Sequence, residues 1–90
     1  MALIKVSKLL AKKFGMQNQF FKSKSVKLAE ALAEIDAEHP GFEICVLDSV
    51  NKVNNFIAIS VNGEMINRNI ENVSLCEDDK VVVINMIAGG

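Results

Sequence analysis

The run Lys80-Val81-Val82-Val83-Ile84-Asn85-Met86-Ile87 is rich in β-branched residues, contains no breaker and is apolar on both faces. Alternation puts Val81, Val83 and Ile87 on one side and Val82, Ile84 and Met86 on the other. A strand with two apolar faces belongs in the interior of a sheet. The rest of the chain must therefore supply neighbours for both of its edges and a cover for at least one face. The run then passes into Ala88-Gly89-Gly90.

That tail has a chemistry of its own. Glycine lacks Cβ and adopts backbone conformations closed to other residues. Two in succession make a thread thin enough to enter a narrow cleft and present a bare carboxylate to another protein's active site. At an average glycine usage of ~7%, such a pair ends a chain by chance about once in 200. A carboxylate is a poor electrophile, so its use requires activation, most simply by ATP as an acyl-adenylate. Sulfide, a persulfide or an amine can then attack. The bland alternative is a frayed end of no consequence.

Ninety residues, half of them hydrophobic, make one domain near the lower size limit for unaided folding. The apolar run Val81 to Ile84 is far too short to cross a bilayer, and Met1 to Val6 lacks the layout of a secretory signal. A cytoplasmic protein is expected. Cys45 and Cys76 have no CxxC spacing and read as small buried hydrophobes; His39 is the single histidine, so no metal site is expected. It falls at a helix end, where partial positive charge suits the dipole.

The net charge of −1 hides an asymmetry. Residues 1–29 hold Lys5, Lys8, Lys12, Lys13, Lys22, Lys24 and Lys27 and no acid; residues 30–48 hold Glu30, Glu34, Asp36, Glu38, Glu43 and Asp48 and no base. Solvated strand faces account for the lysines first and partner docking second. Nucleic acid is a distant third, because the basic third lacks arginine and the whole chain lacks Tyr and Trp.

In chain order, residues 2–7 alternate as a strand with Ala2, Ile4 and Val6 on one side. Residues 8–14 are a helical turn or a loop, closed by Gly15. Residues 16–22 read as a second strand paired with the first. Ser25 is the expected N-cap of a helix over 26–38, with Val26, Leu28, Ala29, Leu32, Ala33 and Ile35 as its apolar stripe and Pro40-Gly41 as its stop. Residues 42–47 are a strand or a short helix, and 48–55 a polar loop. Phe56 to Val61 is a strand with Ile57, Ile59 and Val61 on its heavy face. Asn62-Gly63 is a strong hairpin signal, with Glu64 to Ile66 returning. Residues 68–76 connect, with room for a helical turn, to Glu77-Asp78-Asp79, which launches the last strand. The expectation is an α+β fold.

With these motifs in order, Ser25-Val26, His39-Pro40-Gly41, Val61-Asn62-Gly63-Glu64, Glu77-Asp78-Asp79-Lys80-Val81 and Ala88-Gly89-Gly90, the chain resembles over its full length the ubiquitin-like sulfur-carrier family of MoaD/ThiS type. These are the molybdopterin-synthase small subunit, the thiamine-biosynthesis carrier and their relatives. The resemblance implies a β-grasp fold: one domain over 1–90, a mixed sheet of 4–5 strands with one main helix across one face, and 87–90 as a flexible tail. Two departures stand out. Asp78 replaces a common glycine, its αL tolerance keeping the turn, and Asn85-Met86 stand where molybdopterin-type members often have prolines.

The resemblance further implies a co-substrate without catalytic residues or a tightly bound cofactor. An adenylyltransferase resembling ubiquitin-activating enzyme would use ATP to adenylate Gly90, with Gly89 beside it. A sulfur donor would make the thiocarboxylate, and a sulfur-accepting synthase would take the sulfur. Partner contacts are expected at Ala88, Ile87, Met86, Ile84 and Phe56. The pathway implied is molybdopterin synthesis first, with thiamine thiazole or cysteine biosynthesis behind it. A ubiquitin-like modifier joined to lysines through Gly90 shares the same activation, and a plain β-grasp interaction module is a third reading.

Overall fold

The computed structural model describes residues 1–49 and 52–86. In chain order the elements are β1 (Ala2–Val6), α1 (Lys8–Lys13), β2 (Phe20–Ser23), α2 (Leu28–Glu38), α3 (Phe42–Val46), β3 (Leu47–Ser49), β4 (Lys52–Val53), β5 (Ile57–Val61), β6 (Glu64–Ile66), a 3₁₀ turn (Ile70–Asn72) and β7 (Lys80–Asn85). The doubly apolar last strand does sit in the centre. The five-stranded sheet runs β2-β1-β7-β5-β6, with β7 parallel to β1 and antiparallel to β5.

Register fixes the two faces. Ile4 pairs with Val81 and Val6 with Val83, while Val83 faces Ile59 and Asn85 faces Ile57. Apart from Asn85, these side chains are buried, and α2 covers them with Leu28, Ala31, Leu32 and Ile35. Phe42 and Val46 of α3 complete the core, with Phe42 meeting Phe14 edge to face at 5.4 Å. The other face carries Leu3, Lys5, Phe20, Lys22, Val82 and Ile84, and no helix among the described residues covers it. Asn62 and Gly63 both take positive φ, 52° and 86°, as a type I′ hairpin between β5 and β6 requires.

Several expectations need correction. Ser25 does not cap α2. Residues 26–28 are tied instead to the segment before β7: Leu75 donates its N–H to Val26 O at 2.8 Å, and Leu28 donates to Val73 O at 3.0 Å. That second bond satisfies an orphan N–H of the first helical turn, so the helix starts at Leu28 with Lys27 at the cap and no side-chain acceptor. The Ser25 hydroxyl donates to the Glu34 carboxylate, as does buried Ser23 at 2.5 Å. The stripe also shifts, since Val26 is 65% exposed and Ala33 is exposed, while Ala31 is buried.

The second strand begins only at Phe20, because the Asn18 side chain accepts the Phe20 N–H and closes a turn. Lys8–Lys13 form α1, capped by the Ser7 hydroxyl and ended at Phe14. Residues 42–46 are helical, launched from Gly41 at φ 97° with Asp36 accepting the N–H groups of Gly41 and Glu43. Inside the expected polar loop β3 and β4 pair antiparallel, with Val53 buried beneath them. Val61 is only partly buried, Cys45 is half-buried and Cys76 is exposed. Asp78 needs no left-handed conformation, for Asn62 and Asn69 are the only non-glycine residues with positive φ among those described.

Leu32→Ala, which empties a fully buried position, is expected to cost about 2–5 kcal/mol. Val26→Ala, in the apolar stripe expected from the sequence but 65% exposed, should stay within about 0.5 kcal/mol of the parent. Urea midpoints of the two variants decide it; equal losses would mean that α2 buries a different face.

Candidate functional site

The site residues expected in the tail, Ile87, Ala88, Gly89 and Gly90, lie outside the described residues. The platform from which the tail leaves is well defined. The Ser7 hydroxyl accepts the Leu10 N–H at 3.2 Å as the cap of α1 and donates to Asn85 Oδ1 at 2.6 Å. Ser7 N–H also donates to Val83 O at 2.9 Å, and Met86 N–H to Phe56 O at 2.6 Å. The chain is therefore held by side chain and backbone up to Met86. Asn85, where the resembled family often has proline, fixes the root through its amide. Its role rests on a partner 78 residues away, so no local pattern signals it.

The three described contact candidates are all exposed: Phe56 58%, Ile84 41% and Met86 46%. They do not form one patch. Phe56 and Met86 line a groove of about 570 Å³ with Leu9 and Lys13 of α1 and Ile44 of α3, and Ile84 is not among its lining residues. Phe56 falls one residue before β5 rather than inside it, which takes its ring out of the strand's alternation. Ile84 pairs with Ala58 and lies with Val82 on the uncovered sheet face. The helices α1 and α3 that complete the groove were the two segments whose structure local pattern left open.

At the opposite end of β7 the turn is held by Asp79. One carboxylate oxygen accepts the Cys76 N–H at 2.7 Å and the other the Asn62 Nδ2–H at 2.8 Å, while Asn62 Oδ1 accepts the Lys80 N–H at 2.9 Å. These bonds favour the charged form, the Cys76 N–H most and Asn62 next, and hold the Asp79 carboxyl below the usual aspartate value. The hairpin asparagine thus does two jobs, shaping its own turn and fixing the start of the central strand. Among the described residues, no three His, Cys, Asp or Glu side chains gather as a metal would require.

The topology is that of a β-grasp, ubiquitin-like protein. The Mycobacterium tuberculosis CysO structure superposes with a TM-score of 0.81 at 18% identity, covering 97% of this chain and 100% of that one. CysO of Amycolatopsis orientalis, solved in complex with BexX, gives 0.77 at 18% identity over 100% of both chains. Sulfolobus solfataricus Urm1 gives 0.70 at 20% identity, covering 93% of this chain and 99% of that one. No curated protein sequence matches this one. The model of the ThiS family matches residues 4–90, and the chain belongs to that family of ubiquitin-like sulfur carriers.

Because the folded-state pKa of Asp79 is lowered, its stabilising contribution is complete above the ordinary aspartate value of about 4 and is lost as pH falls through the lowered value. The parent should therefore be more stable than Asp79→Ala at neutral pH and lose that margin in acid. Thermal melts from about pH 7 down to about pH 2 test this; a gap independent of pH would show that the carboxylate is not what holds the turn.

Proposed function

We propose that this protein is a sulfur carrier. Its Gly90 carboxylate oxygen attacks the α-phosphorus of ATP on a partner adenylyltransferase, the bond to the departing pyrophosphate breaks, and an acyl-adenylate forms. Sulfide attacks the acyl carbon and AMP leaves, or a persulfide displaces AMP and a second thiol then cleaves the acyl disulfide to form a disulfide with the donor. The resulting thiocarboxylate delivers sulfur to a biosynthetic synthase. ATP is bound by the partner, and this chain contributes a tail and surfaces on which to dock. The observation that carries the reading is the placement of Ala88-Gly89-Gly90 directly after the central strand of a ThiS-family chain, with exposed Ile84, Met86 and Phe56 at its root. The segment 42–55 favours molybdopterin or cysteine biosynthesis over the thiamine pathway, with molybdopterin synthesis taken first, and no helix among the described residues is long and apolar enough to cross a membrane.

A second reading has its own support. Two similar folds belong to small archaeal modifier protein 1, from Haloferax volcanii (TM-score 0.69) and Methanosarcina acetivorans (0.75). Conjugation to lysine uses the same adenylate with an amine as the attacking group. The two readings part at the product: a free protein carrying sulfur's mass in place of oxygen's, or a ladder of slow-migrating conjugates in cells.

Deleting Gly89-Gly90 should abolish pyrophosphate release while leaving the melting temperature unchanged, since a terminal thread contributes little burial. Unchanged release would end the proposal. Met86→Ala and Phe56→Ala are expected to cost about 2 kcal/mol of partner binding, roughly thirtyfold in Kd, without unfolding. Val83→Ala, at a fully buried position, is the stability control. Titration of purified adenylyltransferase with each variant decides between docking residues and bystanders.

A further inference from the structure

The uncovered sheet face is electrically one-sided. Register arranges it in rows: Lys22, Leu3 and Lys80 in the first, Phe20, Lys5, Val82, Ser60 and Met65 in the second, Ile84 and Ala58 in the third, nearest the tail root. Its charged members are Lys5, Lys22 and Lys80, all exposed, with no acid among these positions. Among the described residues none of the three is in an ion pair, and the Lys5 ammonium lies over the Phe20 ring at 5.9 Å. Across the sheet, α2 and α3 carry Glu30, Glu34, Asp36, Glu38 and Glu43 and no base. The helix side is acidic along α2 and α3 only, since α1 beside α3 carries Lys8, Lys12 and Lys13.

We infer that the partner docking on this face presents an acidic protein surface, with Asp or Glu carboxylates opposite Lys5, Lys22 and Lys80 and apolar side chains against Val82 and Ile84. The inference rests on the reading above that an adenylyltransferase docks beside the tail, and it adds how that encounter is oriented. A face of one sign draws an opposite surface and speeds association, while the acidic residues of α2 and α3 repel the same surface and disfavour an approach over those two helices. A protein fits better than a polyanionic nucleic acid. The face has no arginine for bidentate phosphate contacts, its one aromatic ring is Phe20 with the Lys5 ammonium over it, and the row nearest the tail is wholly apolar.

The test is the triple variant Lys5→Glu, Lys22→Glu, Lys80→Glu against Lys12→Glu, Lys27→Glu, Lys52→Glu, which changes net charge equally at exposed positions off this face. Pyrophosphate release and direct binding to the purified adenylyltransferase are measured together from low to high salt, with melts confirming that both variants fold. The face variant should lose about tenfold or more in kcat/KM and in association rate at low salt with kcat retained, and the deficit should shrink towards about 1 M salt as charges are screened. The off-face variant should stay within about twofold of the parent. Parent-like binding by the face variant, or an equal loss in the off-face variant, would overturn the inference. So would a loss confined to homopolymeric RNA binding in a gel-shift arm. If the parent binds the enzyme through these lysines yet releases no pyrophosphate, the docking inference stands and the carrier reading falls.

Discussion

Everything in this molecule depends on β7 having both hydrogen-bonding edges occupied. One edge takes β1 in parallel, from Leu3–Lys80 to Val6–Val83, and the other takes β5 antiparallel, from Ile57–Asn85 to Val61–Val81. A parallel pair between the first and last strands cannot be closed by a tight turn, so every other element is inserted in the connection between them. The pairing is long-range, and its closure entropy is recovered only when Val81 and Val83 are buried under α2 and α3. The last strand is consequently tied on both sides through Met86, Ser7 holding Asn85 and the Phe56 carbonyl holding the Met86 N–H.

Elements with local causes were legible. Alternation marked β1 and β5, Asn62-Gly63 marked the hairpin, Pro40-Gly41 marked the end of α2, and apolar residues on both faces marked the centre of the sheet. What escaped had distant causes. Ser25 has every local qualification for a cap, but Val26 and Leu28 find backbone partners in 73–75, and its hydroxyl goes to Glu34 instead. The ladder of β3 and β4 escaped because two short, largely polar strands have too few residues to show a period. Phe56 was singled out as exposed and is so, but its neighbours Leu9 and Ile44 come from helices that only tertiary packing settles.

The two apolar sets at the end of the chain have different structural meanings. Val82 and Ile84 are outward positions of a paired strand, so their spacing is fixed by the pleat and they offer a flat surface. Phe56 and Met86 lie at strand ends and, with α1 and α3, border a concavity. Large apolar groups around a concavity and on a flat face answer to different partner shapes, since anchor residues gain most in well-packed pockets. A single apolar strand thereby serves a core on one side and two unlike surfaces at its root.

A tail of alanine and glycine has almost no side chain to recognise. Proteins that share this fold at 17–20% identity, CysO, Urm1 and the archaeal modifiers among them, keep the backbone while most residue identities change. If an activating enzyme reads such a tail only as a thread, discrimination among carriers has to come from the surface around its root, because specificity is a difference of affinities and requires groups that differ. Here those groups are lysines in the rows beyond Ile84 and the aromatic and aliphatic rim of the groove. On the proposed carrier reading, the residues on the two surfaces beside the tail root are the groups that would decide which partner binds.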